Sequence, residues 1–183
     1  MMKTVRSLHD VVFGTLEHQA DRWALGIALR LIFLAVLLPY YLNSFMTKVG
    51  PGLGGLFSIQ PGAYYQIVPQ AVEAAGGDVT AISIFPYGLI VYLGTYAEAV
   101  LPILIVLGLF TRLASVGMIG FILVQSLVDV LFHQVDAATI GNLFDRFPDA
   151  VILDQRLLWI GVLLPLVAKG GGALSLDRLM RLS

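Results

Sequence analysis

Apolar residues dominate four stretches of this chain, at about residues 23–45, 86–110, 113–132 and 150–168, and each comes close to the ~20 residues a helix needs to cross a hydrocarbon core. They predict four transmembrane helices. Trp23 opens the first and Tyr40 and Tyr41 lie near its far end, where aromatic belts sit at the two membrane interfaces. The stretch 108–112 leaves room only for a tight turn, so the second and third spans form an antiparallel hairpin. Pro39, Pro102 and Pro165 fall inside spans, where neighbouring helices can satisfy the backbone groups they free, and they predict kinks.

Before the first span, Ser7 and Asp10 make a capping-box pattern, and Leu8, Val11, Val12 and Leu16 follow at helical spacing. Residues 1–22 therefore read as an amphipathic surface helix, kept on the mature protein because they lack the long apolar core of a cleavable signal. Residues 46–85 and 133–149 form two loops on one side of the membrane. The longer is rich in glycine and proline: its 50–55 portion reads as a flexible turn, and Ala63 to Ala75 as one short helix.

Composition makes lipid the main solvent. Hydrophobic residues are 58% and charged residues 13%, against about 25% charged in a soluble domain. Four spans and their connections use up the 183 residues, so a single all-α membrane domain over 1–183 is expected. The net charge of -1, without a basic tract, excludes the electrostatic footprint of nucleic-acid binding. With no cysteine, the chain has no thiol redox chemistry and no thiolate-held cluster of its own. Lys3, Arg6, Arg22, Arg112, Lys169, Arg178 and Arg181 collect on one side, opposite Lys48, Arg146 and Arg156, which predicts both termini in the cytoplasm.

Charges inside spans need partners or a wet cavity, since each costs about 2.5–3.5 kcal/mol near the bilayer centre on insertion scales. Arg30 and Glu98 are expected to meet, although they stand ~10 Å and ~20 Å from the same membrane side. Two readings stay open for them: a pair that fixes helix register, and a carboxylate that exchanges protons with a bound quinone. Gln125, Asp129 and His133 recur every fourth residue, which makes one stripe along the third span. A histidine beside a carboxylate can hold and tune a quinone carbonyl, or can simply face water at a helix end. Tyr96, with Tyr92 on the same face, and Arg156, with Asp154, are placed around the same interior. One histidine with carboxylates is an incomplete ligand set for a tight metal site, and His133 is the only histidine in the spans, which argues against a bis-histidine haem.

Three stretches carry a family resemblance: Leu29-Arg30-Leu31 with Lys48 beyond it, Tyr96-Ala97-Glu98 followed by Leu107-Gly108-Leu109-Phe110-Thr111-Arg112, and Gly172-Ala173-Leu174-Ser175-Leu176-Asp177. Together they resemble the DoxX family of small bacterial inner-membrane proteins. The resemblance implies a four-helix membrane bundle and, as in some members, a subunit of a quinone-reducing oxidoreductase. Other members look like accessory partners of redox or metal-handling systems. The expectation is thus a quinone-binding subunit that relays protons while a partner supplies electrons, with no haem, flavin or iron–sulfur cluster of its own. The alternative is a non-catalytic accessory subunit docked on a larger respiratory or photosynthetic complex. Four spans also admit a homo-oligomer.

Overall fold

The computed structural model describes Phe13, Gly14 and residues 24–182. The expected surface helix lies outside the described residues, apart from Phe13 and Gly14, which are helical. The protein is an all-α, multi-pass membrane bundle with, among the described residues, four helices long and apolar enough to span a bilayer. These are α1 (Leu25–Met46), α4 (Ile84–Leu107), α5 (Thr111–Leu131) and α6 (Val151–Lys169). Two short helices, α2 (Pro61–Ile67) and α3 (Pro69–Ala74), fill the connection between α1 and α4.

Neighbours in sequence are neighbours in space: α1 packs on α4, α4 on α5, α5 on α6, and α6 closes the ring against α1. Phe33, Leu37 and Tyr41 of α1 meet Ile105 of α4, Met118 and Ile122 of α5, and Leu163 and Leu166 of α6 in a buried centre. Only 22–28% of the most apolar window of each span is buried within the protein. The outward residues, among them Leu31, Val36, Val124, Leu127 and Leu158, are exposed and apolar, an arrangement stable only against lipid.

Several boundaries differ from the sequence expectation for identifiable reasons. The short helix expected over 63–75 is two helices, because Pro69 disfavours helical geometry at Val68, which sits at φ -132°, ψ 54°. Each half then starts with a proline in its first turn, where the missing N–H costs nothing. The 50–55 segment is folded on itself: the Gly50 N–H donates to the carbonyls of Gly55 and Ser58, both at 2.9 Å. A second buried cluster, Ala63, Val68, Ala71 and Val91, seats α2 and α3 against α4.

At the other end of the bundle, α4 stops at Leu107, earlier than expected. Gly108 takes the left-handed conformation at φ 70°, with its N–H on Ile105 and the Leu109 N–H on Leu104, which is the Schellman way of ending a helix. A side chain at Gly108 would begin 2.6 Å from the Ser175 Cβ. Helix α5 starts at once, because the Asp177 carboxylate accepts from the Phe110 and Thr111 N–H groups at 2.6 and 2.8 Å and from the Thr111 hydroxyl at 2.6 Å. A buried acid from the far end of the chain thus caps this helix and opposes its positive dipole end. The single turn Leu176–Leu179, tied by Asp177 N–H to the Gly108 carbonyl at 2.8 Å, covers the hairpin.

Candidate functional site

The polar residues within the spans segregate into two regions. At one end, Arg30 reaches across to the last carbonyls of α4. Its Nε donates to Ile105 O at 3.1 Å and Val106 O at 3.2 Å, and Nη1 donates to Gly171 O at 3.1 Å and Leu174 O at 2.9 Å. These are carbonyls that a helix end and a loop leave without intrahelical partners. Arg30 therefore clasps α1, α4 and the segment after α6 together. Gly26, a turn earlier, allows the approach, since a side chain there would begin 2.6 Å from the Gly172 nitrogen.

This geometry corrects the expected Arg30–Glu98 pair. Arg30 lies about 8 Å along α1 and already contacts the end of α4, whereas Glu98 is ~14 Å further up α4. Glu98 instead pairs with Lys48, Nζ to Oε2 at 2.9 Å, and both side chains are buried. The remaining Lys48 donors go to the Ser44 hydroxyl at 2.7 Å and the Ser44 carbonyl at 3.2 Å. All three ammonium protons are accounted for, which is what a lysine 2% exposed requires. Sequence reading counted Lys48 as a loop charge on the outer side. The signal that could have found it is the Ser44–Lys48 spacing of four residues at the end of a span, with Glu98 the only acid within the next one.

Gln125 and Asp129 lie on α5, His133 lies just past its end at Leu131, and each of the three engages a different element. Gln125 donates to the Tyr40 hydroxyl at 3.1 Å and accepts from the Tyr41 hydroxyl at 3.4 Å, joining α5 to α1. Asp129 forms an ion pair with Arg156 of α6, whose Nη1 also donates to the Ser126 hydroxyl at 3.0 Å. His133 Nε2 sits 3.1 Å from the Gln66 carbonyl, so it ties the end of α5 to α2 and is separated from Asp129. Arg156 is buried, and its Nε has no hydrogen-bond partner among the described residues. Asp154 turns away to accept the Ala150 N–H at 3.0 Å.

Tyr96 does not join these polar groups. Its hydroxyl donates to the Leu56 carbonyl at 3.0 Å, and its ring packs on Phe45 and Tyr92. Tyr41 is fully buried, and its hydroxyl is held by Gln125. Tyr40, Tyr41 and Trp159 form an aromatic cluster, with Trp159 at 5.2 Å from the Tyr40 ring and 6.2 Å from the Tyr41 ring.

Beside that cluster, a groove of about 230 Å³ opens between α1 and α6. Ile32, Val36, Leu158, Trp159 and Val162 line it, with Gln155 toward the Lys48 end. Comparison with family models, curated proteins and solved structures returned no match. The arrangement can thus hold a flat apolar molecule entering sideways from lipid, against an aromatic wall backed by hydrogen-bonded, ionisable groups.

Proposed function

We propose that the chain is the membrane subunit of a quinone-linked redox system in a bacterial inner membrane, a DoxX-like protein with its Arg30 end toward the cytoplasm. The observation that carries the reading is the groove between α1 and α6, which is open toward lipid and walled on one side by Trp159, whose ring packs on Tyr40 and Tyr41. Its volume exceeds the ~150 Å³ that suffices to hold a benzene ring in a protein interior. A quinone ring would lie against Trp159 with its tail along the apolar wall. Gln125 does not line the groove; it fixes the hydroxyls of Tyr40 and Tyr41, the rings that back Trp159, and Asp129, a quarter exposed beside Arg156, is the carboxylate of α5 proposed to take part in proton transfer. Electrons come from a partner, since the chain has no cysteine to hold a cluster. Arg30 and His133 have structural contacts in this reading and no proton-handling role.

Tryptophan fluorescence tests it, because the chain has two tryptophans and Trp23→Phe leaves Trp159 as the sole reporter. In nanodiscs, a short-chain ubiquinone should quench Trp159 saturably. Val36→Phe or Val162→Phe, which fill the groove, should abolish saturation, and Gln125→Leu should weaken it. Linear quenching unaffected by groove filling would sink the reading.

A second reading, an accessory subunit on a larger respiratory or photosynthetic complex, is favoured by the loop surface at the Lys48 end. Leu53, Phe57, Phe85 and Phe144 project there, Phe144 fully exposed and at φ 66°. Replacing Phe57 and Phe144 by serine would then release a co-purifying complex while leaving quinone quenching intact.

A further inference from the structure

Among the described residues, the Arg30 end of the bundle carries four exposed cations that separate elements bring together. Arg112 is in the first turn of α5, Lys169 ends α6, and Arg178 and Arg181 lie in and just after the turn that covers the hairpin. Their closeness follows from contacts already described. The Arg112 Nε lies over Gly170, within 3.6 Å of where a side chain there would begin. Arg178 follows Asp177, whose carboxylate caps the turn preceding Arg112, and the Leu182 N–H returns to the Asp177 carbonyl at 2.8 Å, which holds Arg181 nearby. Asp177 does not offset this charge outwardly, because it is buried and its carboxylate accepts three hydrogen bonds.

Apolar side chains are interleaved with the cations. Leu174 is 75% and Leu179 79% exposed, and Met180 and Leu182 are more than half exposed. A cluster of this kind directly under four spans sits at the level where headgroups meet acyl chains. Leucines there enter the acyl boundary and arginines stay among phosphates, the arrangement of interfacial segments selective for acidic lipid. We propose that this end of the protein binds phospholipids with a net negative headgroup, through Arg112, Arg178 and Arg181 with Lys169 beside them. The Asp177 cap holds the cations in place, so the site is part of the fold. The quinone reading is not needed for it.

The full chain in mild detergent, titrated with phosphatidylglycerol or phosphatidylcholine and examined by native mass spectrometry, tests the proposal. Phosphatidylglycerol should be retained in preference, and each of Arg178→Gln and Arg181→Gln should weaken retention about five-fold. Arg178→Lys and Arg181→Lys should largely keep it. Equal retention of both lipids, or unchanged phosphatidylglycerol retention in the Gln variants, overturns the proposal. Inorganic phosphate is the third arm: if it displaces phosphatidylglycerol at equal concentration, the site takes a soluble anion and the lipid assignment fails. Should the Gln variants unfold, Arg112→Gln carries the same expectation, as its side chain takes no part in the Asp177 cap.

Discussion

Removing the Glu98 carboxylate gives the sharpest test of the buried charges. Glu98→Gln keeps the size and a hydrogen-bonding oxygen but leaves the Lys48 ammonium without a counter-charge. Opposite charges 2.9 Å apart attract by about 6 kcal/mol at an effective dielectric of ~20. The expected net cost is roughly 3–5 kcal/mol, the range for breaking a buried pair from one side. At about 2–4 °C per kcal/mol for a chain of this size, the unfolding midpoint in mild detergent should fall by on the order of 10 °C. Lys48→Met should cost a similar amount. The double variant removes both charges and should cost no more than either single variant, giving a coupling energy of at least roughly 3 kcal/mol. If the two losses add to within about 0.5 kcal/mol, the residues are not a buried ion pair. Arg30→Gln supplies the contrast: it shares no partner with Glu98, so its effect should add to that of Glu98→Gln, and strong coupling would refute the separation of the two networks.

Asp177→Asn removes the charge from the cap on Phe110 and Thr111, where hydrogen bonds to a charged acceptor contribute about 1.5–3 kcal/mol each. Faster trypsin cleavage after Arg178 and Arg181 should accompany the loss of stability, and a cleavage rate equal to the parent's would count against the cap. Gly108→Ala places a Cβ 2.6 Å from Ser175 at φ 70° and should destabilise by at least 1–2 kcal/mol, whereas Gly120→Ala, with nothing within 4 Å, should be near neutral or slightly stabilising in the same thermal melt. In the loop before α6, hydrogen bonds from Thr139 hold the Asp136 carboxyl below its ordinary range. Its contribution is present above the unfolded carboxyl pKa and is lost as pH falls through the lower folded value. Protection of the Thr139 amide, taken relative to its intrinsic exchange rate, should therefore fall only in acid, and Asp136→Ala should remove that pH dependence.

The spans were legible because membrane crossing is a requirement on length and apolarity, both of which a single segment displays. Pairing was less legible, because it depends on how far one helix is shifted along its neighbour. Arg30 and Glu98 were the two conspicuous charges at the ~10 and ~20 Å depths of ideal spans, yet the α4 end is drawn up to the level of Arg30, and Glu98 rises with it toward Lys48. Lys48 was missed because loop charge counting assigns every cation beyond a span to water, while a lysine stem can bend its ammonium back inside. Spacing of four residues grouped Gln125, Asp129 and His133, but α5 ends before His133, and their partners, Tyr40, Arg156 and Gln66, come from three other elements. The role of Asp177 as cap to a helix 66 residues away had no local signature at all.

The Arg30 clasp also sets an order of assembly. Two of its four acceptors, Gly171 and Leu174, lie 141 and 144 residues downstream of the arginine itself. During synthesis the first span enters the bilayer long before those carbonyls exist, so the guanidinium must be held meanwhile by water, lipid phosphate or the insertion machinery. The first three spans can gather, but the bundle locks only once the segment after α6 leaves the ribosome. A chain truncated before Gly171 would retain all four of the spans described above and still lack the means to secure them, which makes the emergence of Gly171 and Leu174 the checkpoint between an inserted protein and a folded one.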